Sequence, residues 1–151
     1  FETTIQKWFD ESAQTWNLTT LFDAMWSGDA ETLTAEINKL LYKTISYHDY
    51  KEDFYHAFLT GILAGSGCAV ESNREHGQGR SDIVVYHPER PQVVIFEAKY
   101  AKKLDDLEER CEAALDQIEE KQYTKEFDNG YTSIRCYGIA FYKKCCLVRT
   151  R

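Results

Sequence analysis

The 151-residue sequence holds only two prolines and one methionine. Both prolines fall in Pro88-Glu89-Arg90-Pro91, so the rest of the chain is open to uninterrupted helices and strands. No apolar run approaches the roughly 20 residues that cross a bilayer, and nothing resembles a signal peptide. A cytoplasmic protein with no membrane partner is therefore expected. The five cysteines (Cys68, Cys111, Cys136, Cys145 and Cys146) include no C-x-x-C pair and are odd in number. Reduced thiols that pack as small hydrophobes are expected of them. An excess of positive charge is also missing. The formal net charge is −7, which argues against a broad phosphate-binding groove.

How that charge is distributed matters more than its sum. Residues 1–60 carry 4 basic and 10 acidic side chains, 61–104 carry 6 and 5, 105–130 carry 3 and 10, and 131–151 carry 5 and none. The acidity lies in segments that read as helices, and the segments that read as strands are neutral to basic. Local phosphate contacts are compatible with that pattern; such binding is expected to be weak and salt-sensitive. A hydrophobic content of 43% at this length supports one sizeable core. The chain begins at Phe1 and its one methionine is Met25, so a piece of a longer protein is expected.

Leu18, Leu21, Phe22, Met25 and Trp26 recur at helical spacing and are stopped by Ser27-Gly28-Asp29. Asp29 or a neighbour can cap a second helix with Leu33, Ile37, Leu40 and Leu41 inward. A third helix is predicted over about 49–64, where Glu52 and His56 lie four apart on one side. The period then changes to that of strands, over 68–73, 81–86 and 92–100, with the two prolines in the loop between the last two. Leu104, Leu107, Cys111, Ala114, Leu115 and Ile118 trace the inner stripe of a long helix. One or two further strands follow over 133–142 and 145–148. The order is two lead-in helices, then α-β-β-β-α-β.

The loop centre lies between Glu89 and Arg90, so strands paired about it oppose residues whose numbers sum to 179. Asp82 then faces Glu97, with Cβ atoms about 5 Å apart. Lys99, two positions on, shares their face. Both faces of this hairpin are apolar, as in a strand covered on both sides. Two facing carboxylates there repel unless a cation lies between them. Carboxylate oxygens suit Mg²⁺ or Mn²⁺, and Lys99 is suited to orient a water or to stabilise charge developing on a phosphate. An isolated E-x-K at a solvated strand end would carry no such meaning, and Asp82 and Glu97 on opposite faces would exclude the site.

Arg80-Ser81-Asp82-Ile83 followed by Phe96-Glu97-Ala98-Lys99 resembles the PD-(D/E)XK nucleases, with Ser81 in place of the proline of the name. Asp53-Phe54-Tyr55-His56, Ser72-Asn73-Arg74-Glu75 with Gly79-Arg80, and Ala114-Leu115-Asp116-Gln117-Ile118 with Tyr123 are similar to a subgroup found C-terminal to an AAA-type ATPase-like domain in bacterial proteins. The resemblance implies an α/β (α+β) fold with a restriction-endonuclease-like αβββαβ core, a mixed central sheet flanked by helices. Residues 47–151 would form the nuclease-like domain, and 1–46 a helical lead-in from an upstream ATPase-like domain. It implies Asp82 and Glu97 as metal ligands, Glu52 as an added acidic ligand, and Lys99 as the catalytic lysine. Gln117 would be a polar residue that touches DNA or that lysine, and Arg74, Arg80 and Lys102 would contact substrate. The expected activity is Mg²⁺-dependent hydrolysis of nucleic acid, DNA foremost. The competing expectation is a catalytically silent binding or docking module for the ATPase-like domain.

Overall fold

A computed structural model describes residues 18–43, 52–75, 80–121, 127 and 130–151; the side chains of 74, 75, 80 and 81 are not described. Among the described residues, helices α1 (Thr19–Ser27), α2 (Ala30–Lys43) and α3 (Glu52–Ala64) precede strands β1 (Ala69–Glu75), β2 (Arg80–Tyr86) and β3 (Gln92–Tyr100). Helix α4 (Leu107–Glu120) connects β3 to β4 (Ser133–Tyr142), and β5 (Cys145–Thr150) closes the chain. This is the α-β-β-β-α-β order read from the sequence. The predicted long helix differs at its start: Leu104–Asp106 form a separate 3-10 turn, and Leu104 is exposed rather than on the inner stripe.

The sheet runs β1-β2-β3-β4-β5, antiparallel except where β3 and β4 pair in parallel. A parallel pair needs a crossover long enough to reach the far end of the sheet, and α4 supplies it. The fold is thus α+β, a mixed sheet with helices on both faces.

Strand alternation divides the core in two. Ile83, Val85, Val94, Phe96, Ala98, Tyr137, Ile139 and Phe141 point into one cluster with the inward stripes of α1, α2 and α3. On the other face Val84, Val93 and Ile95 meet Leu115, Ile118 and Phe127. Leu107 and Cys111 of α4 pack on Ala140 nearby. The lead-in helices therefore share a core with the sheet. Tyr137 donates from its buried hydroxyl to the Met25 carbonyl at 2.6 Å. Asn38 accepts from the Cys146 N–H and donates to the Cys146 carbonyl, at 2.8 and 3.1 Å. Asp29 caps α2 by accepting from the Thr32 N–H at 3.1 Å.

Two glycines are required by position. Gly28 ends α1 at φ 85°, in the left-handed region, with its N–H on the Ala24 carbonyl. Gly138 lets α4 approach β4 closely, because a Cβ there would collide with the Cys111 carbonyl oxygen. All five cysteines are free thiols; Cys111 and Cys146 are buried, as expected of packing groups, and burial pushes the Cys111 thiol up to about 12, whereas Cys145 is exposed. No described helix is long and apolar enough to cross a membrane.

Candidate functional site

The β2–β3 register pairs Asp82 with Glu97, Ile83 with Phe96 and Val84 with Ile95. These pairs sum to 179, the symmetry read from the proline loop. Asp82 and Glu97 therefore share a face, and the alternation that sends Val93 and Ile95 toward α4 sends Glu97 and Lys99 there as well. The arrangement that would have made E-x-K a chance pattern, the two carboxylates on opposite faces, is absent.

Both carboxylates are taken out of water: Glu97 is 0% exposed and Asp82 5%. Neither oxygen of Glu97 receives a hydrogen bond among the described residues. Its neighbour is Asp82, which when ionised can only accept. The pair is satisfied by one shared proton or by a shared cation. Burial foremost, together with the adjacent Asp82, pushes the Glu97 carboxyl up to about 9 against the opposing pull of Lys121 and Lys99. Without a cation between the two carboxyls, a proton held by the pair is favoured over two bare carboxylates.

A residue that the motif reading missed stands at this pair. Lys121, the C-cap of α4, places Nζ 3.0 Å from both Oδ1 and Oδ2 of Asp82 and 3.9 Å from Oε1 of Glu97. Its side chain is 19% exposed. The sequence did contain a signal for it. The inward stripe of α4 steps from Ala114 to Ile118, and the next step of three falls on Lys121, a cation where an apolar residue is due.

Gln117 lies one turn before Lys121 and accepts its backbone N–H at 3.1 Å. Its side chain is 7% exposed, and Oε1 has no hydrogen-bond partner among the described residues. A buried amide oxygen without a donor, one turn before Lys121, is a second unsatisfied acceptor at this end of the helix. Lys99 is half-buried on the same sheet face, close enough for its charge to act on Glu97.

Glu52 is not brought to this cluster. It is exposed at the first residue of α3, which packs on the sheet face opposite the carboxylates. Among the described residues no three His, Cys, Asp or Glu side chains form a metal-binding group. His56, on the same helix, lies 2.7 Å through Nε2 from the Ser72 hydroxyl. Lys102 is exposed just beyond β3. The backbones of Arg74 and Arg80 end β1 and begin β2, opposite Ser81 and Glu75 respectively, and their side chains lie outside the described set, as does Tyr123.

The donor set is one of hard oxygens, with Glu97 lacking any donor, and it fits a hard divalent cation held by Asp82 and Glu97. A family model described as the PD-(D/E)XK nuclease superfamily matches residues 50–151. No curated protein matches the chain.

Proposed function

Because the chain belongs to the PD-(D/E)XK nuclease superfamily, we propose that it hydrolyses phosphodiester bonds of nucleic acid, DNA foremost, with Mg²⁺ (Mn²⁺ substituting). The observation that carries this reading is the buried Asp82–Glu97 pair, whose inner carboxylate has no hydrogen-bond donor. Asp82 and Glu97 hold the ion. Bound there, it would supply Lewis-acid polarisation of the scissile phosphate and lower the pKa of water.

The rest belongs to this chain. Lys99 shares the carboxylate face and orients the attacking water or stabilises the charge that grows on phosphate oxygens. Gln117 offers an amide to substrate or to Lys99. Val84, Val93, Ile95, Leu115 and Ile118 form an apolar cluster on the same sheet face, and low polarity there strengthens electrostatic contacts. Arg74, Arg80 and Lys102 are the candidate cationic contacts to the substrate backbone. Glu52 belongs to this reading only as an outlying acidic group on α3.

The wider setting is proposed from the subgroup resemblance. Residues 1–46 lead in from an upstream ATPase-like domain, and the nuclease-like domain of 47–151 acts with that partner in the cytoplasm. A second reading, a silent binding or docking module, is favoured by one observation: Lys121 already pairs with Asp82 and stands near Glu97.

The deciding experiment offers single- and double-stranded DNA and RNA, with Mg²⁺ or Mn²⁺, to the chain joined to its natural upstream neighbour. Cleavage that vanishes in Asp82→Ala and Lys99→Ala supports the nuclease. Absence of cleavage on every substrate, with binding unchanged by Asp82→Ala, leaves the binding module.

A further inference from the structure

We infer that Lys121 is the resident counter-ion of the Asp82–Glu97 pair and sets how tightly the site takes a divalent ion, because the ion and the ammonium group compete for the same carboxylate oxygens. The inference rests on the metal-dependent reading given above and deepens it.

Three observations converge on it. Lys121 Nζ is equidistant from the two Asp82 oxygens, at 3.0 Å each, so it uses both of the oxygens that a cation would need. It also lies 3.9 Å from Glu97 Oε1, so it stands on the side of Asp82 that Glu97 faces. Those Glu97 oxygens accept no hydrogen bond among the described residues, so the ammonium satisfies one carboxylate and only partly screens the other. A divalent ion can satisfy both.

It does so at a cost with Lys121 in place. Two cations at one carboxylate repel, and in a poorly screened site that repulsion is large. The anchoring of Lys121 makes displacement feasible. It caps the C-terminal end of α4, its side chain is partly exposed, and lysine carries a point charge on a flexible four-carbon stem. Rotation of that stem moves the charge outward without moving the helix. Lys121 is thus a positioning residue: it keeps the buried pair compensated while the site is empty of metal and yields when metal arrives.

The test titrates Mn²⁺ into the full chain by calorimetry, for wild type, Lys121→Gln and Lys121→Arg. The expected result is a dissociation constant about tenfold lower for Lys121→Gln. Lys121→Arg, which keeps the charge, stays near wild type. A purely structural lysine would give the reverse, weaker binding in Lys121→Gln. In parallel, the ¹³Cε resonance of Lys121 is followed in wild type during a Mg²⁺ titration, and it should move with the midpoint of binding. Equal or weaker affinity in Lys121→Gln overturns the inference. So does a Lys121 resonance unmoved at saturating Mg²⁺, and that arm decides the matter if Lys121→Gln does not fold. No metal binding by any of the three proteins sinks the metal-dependent reading and the inference together. Tighter binding in Lys121→Gln, with no cleavage of any nucleic acid by wild type, sinks the nuclease reading and leaves the inference standing.

Discussion

Helix α4 takes part in two clusters of one cation with several carboxylates, and they differ in almost everything except the attraction. On its outer side Arg151 reaches Glu112 at 2.7 Å, Glu119 at 2.8 Å and Asp116 at 2.9 Å. At its end Lys121 reaches Asp82 at 3.0 Å and Glu97 at 3.9 Å. The outer distances are shorter and the partners more numerous, so a count of contacts would rank Arg151 first. Exposure reverses the ranking. Arg151 is 38% exposed and its partners 51% to 62%, whereas Asp82 and Glu97 are 7% and 0% exposed at their side chains. Water already solvates the outer charges, so bringing them together gains little. The inner carboxylates have lost that solvation, so whatever cation faces them controls their protonation. Strong perturbation of this kind clusters at functional sites.

The comparison breaks most visibly if the inner cluster is altered. Asp82→Ala is expected to abolish metal binding, measured by calorimetry, and with it cleavage. Lys99→Ala is expected to keep metal binding and to lower the cleavage rate on the order of 10²- to 10³-fold. If Lys99→Ala cut at the wild-type rate, the lysine would have no part in the chemistry.

Glu97 gives the next largest effect, read as stability against pH. Its carboxyl titrates near 4.5 when unfolded and near 9 in the folded, metal-free protein. Between those values the folded state holds a proton that the unfolded state has released, so stability falls as pH rises. The contribution is fully present below about 4.5 and lost by about 9. Thermal melts of the metal-free chain should therefore decline across that window. Glu97→Gln, which cannot ionise, should flatten the slope. A slope unchanged in Glu97→Gln would mean that another group governs it.

The contrast between the two clusters also explains what was legible in the sequence. The hairpin register was legible because two prolines fix the loop and the period of two carries the phase from there to Asp82, Glu97 and Lys99. The element order was legible from changes of period. Lys121 was overlooked because its meaning depends on where the axis of α4 runs over the sheet. The mark it left is a charged residue at an inward-stripe position. Glu52 shows the converse. Its spacing to His56 correctly describes one side of a helix, but no local pattern states which sheet face α3 covers, and it covers the one away from the carboxylates. Docking of α1 and α2 was equally hidden, because Tyr137 with Met25 and Asn38 with Cys146 join residues about 110 positions apart.

Gly138 allows a sharper and smaller test. It pairs with Glu97 across β3 and β4 and sits directly under α4. Gly138→Ala places a methyl group against the Cys111 carbonyl, Ala114 and Leu115, and the backbone carbonyl cannot yield without shifting the helix. A loss of about 1–3 kcal/mol is expected in denaturant unfolding. Because Lys121 ends the same helix, metal affinity should change as well. Arg151 reaches α4 with a long exposed side chain and should retain its contacts. A variant that loses stability with metal affinity untouched would separate the site from the seating of α4.

The smallest effect is expected at Arg151 itself. Its three carboxylates, Glu119 foremost, raise its pKa above the usual range, yet both partners and cation stand in water. Arg151→Ala should shift the melting temperature by no more than about 2 °C, and less still in 0.5 M salt, about where the screening length falls below 5 Å. Metal affinity should not move. The same monovalent salt should leave the Lys121 cluster largely unaffected, because charges held out of water are screened much less than exposed ones. If Arg151→Ala destabilised the chain as much as Gly138→Ala, the outer cluster would be holding α4 on the sheet, and exposure alone would no longer rank the two.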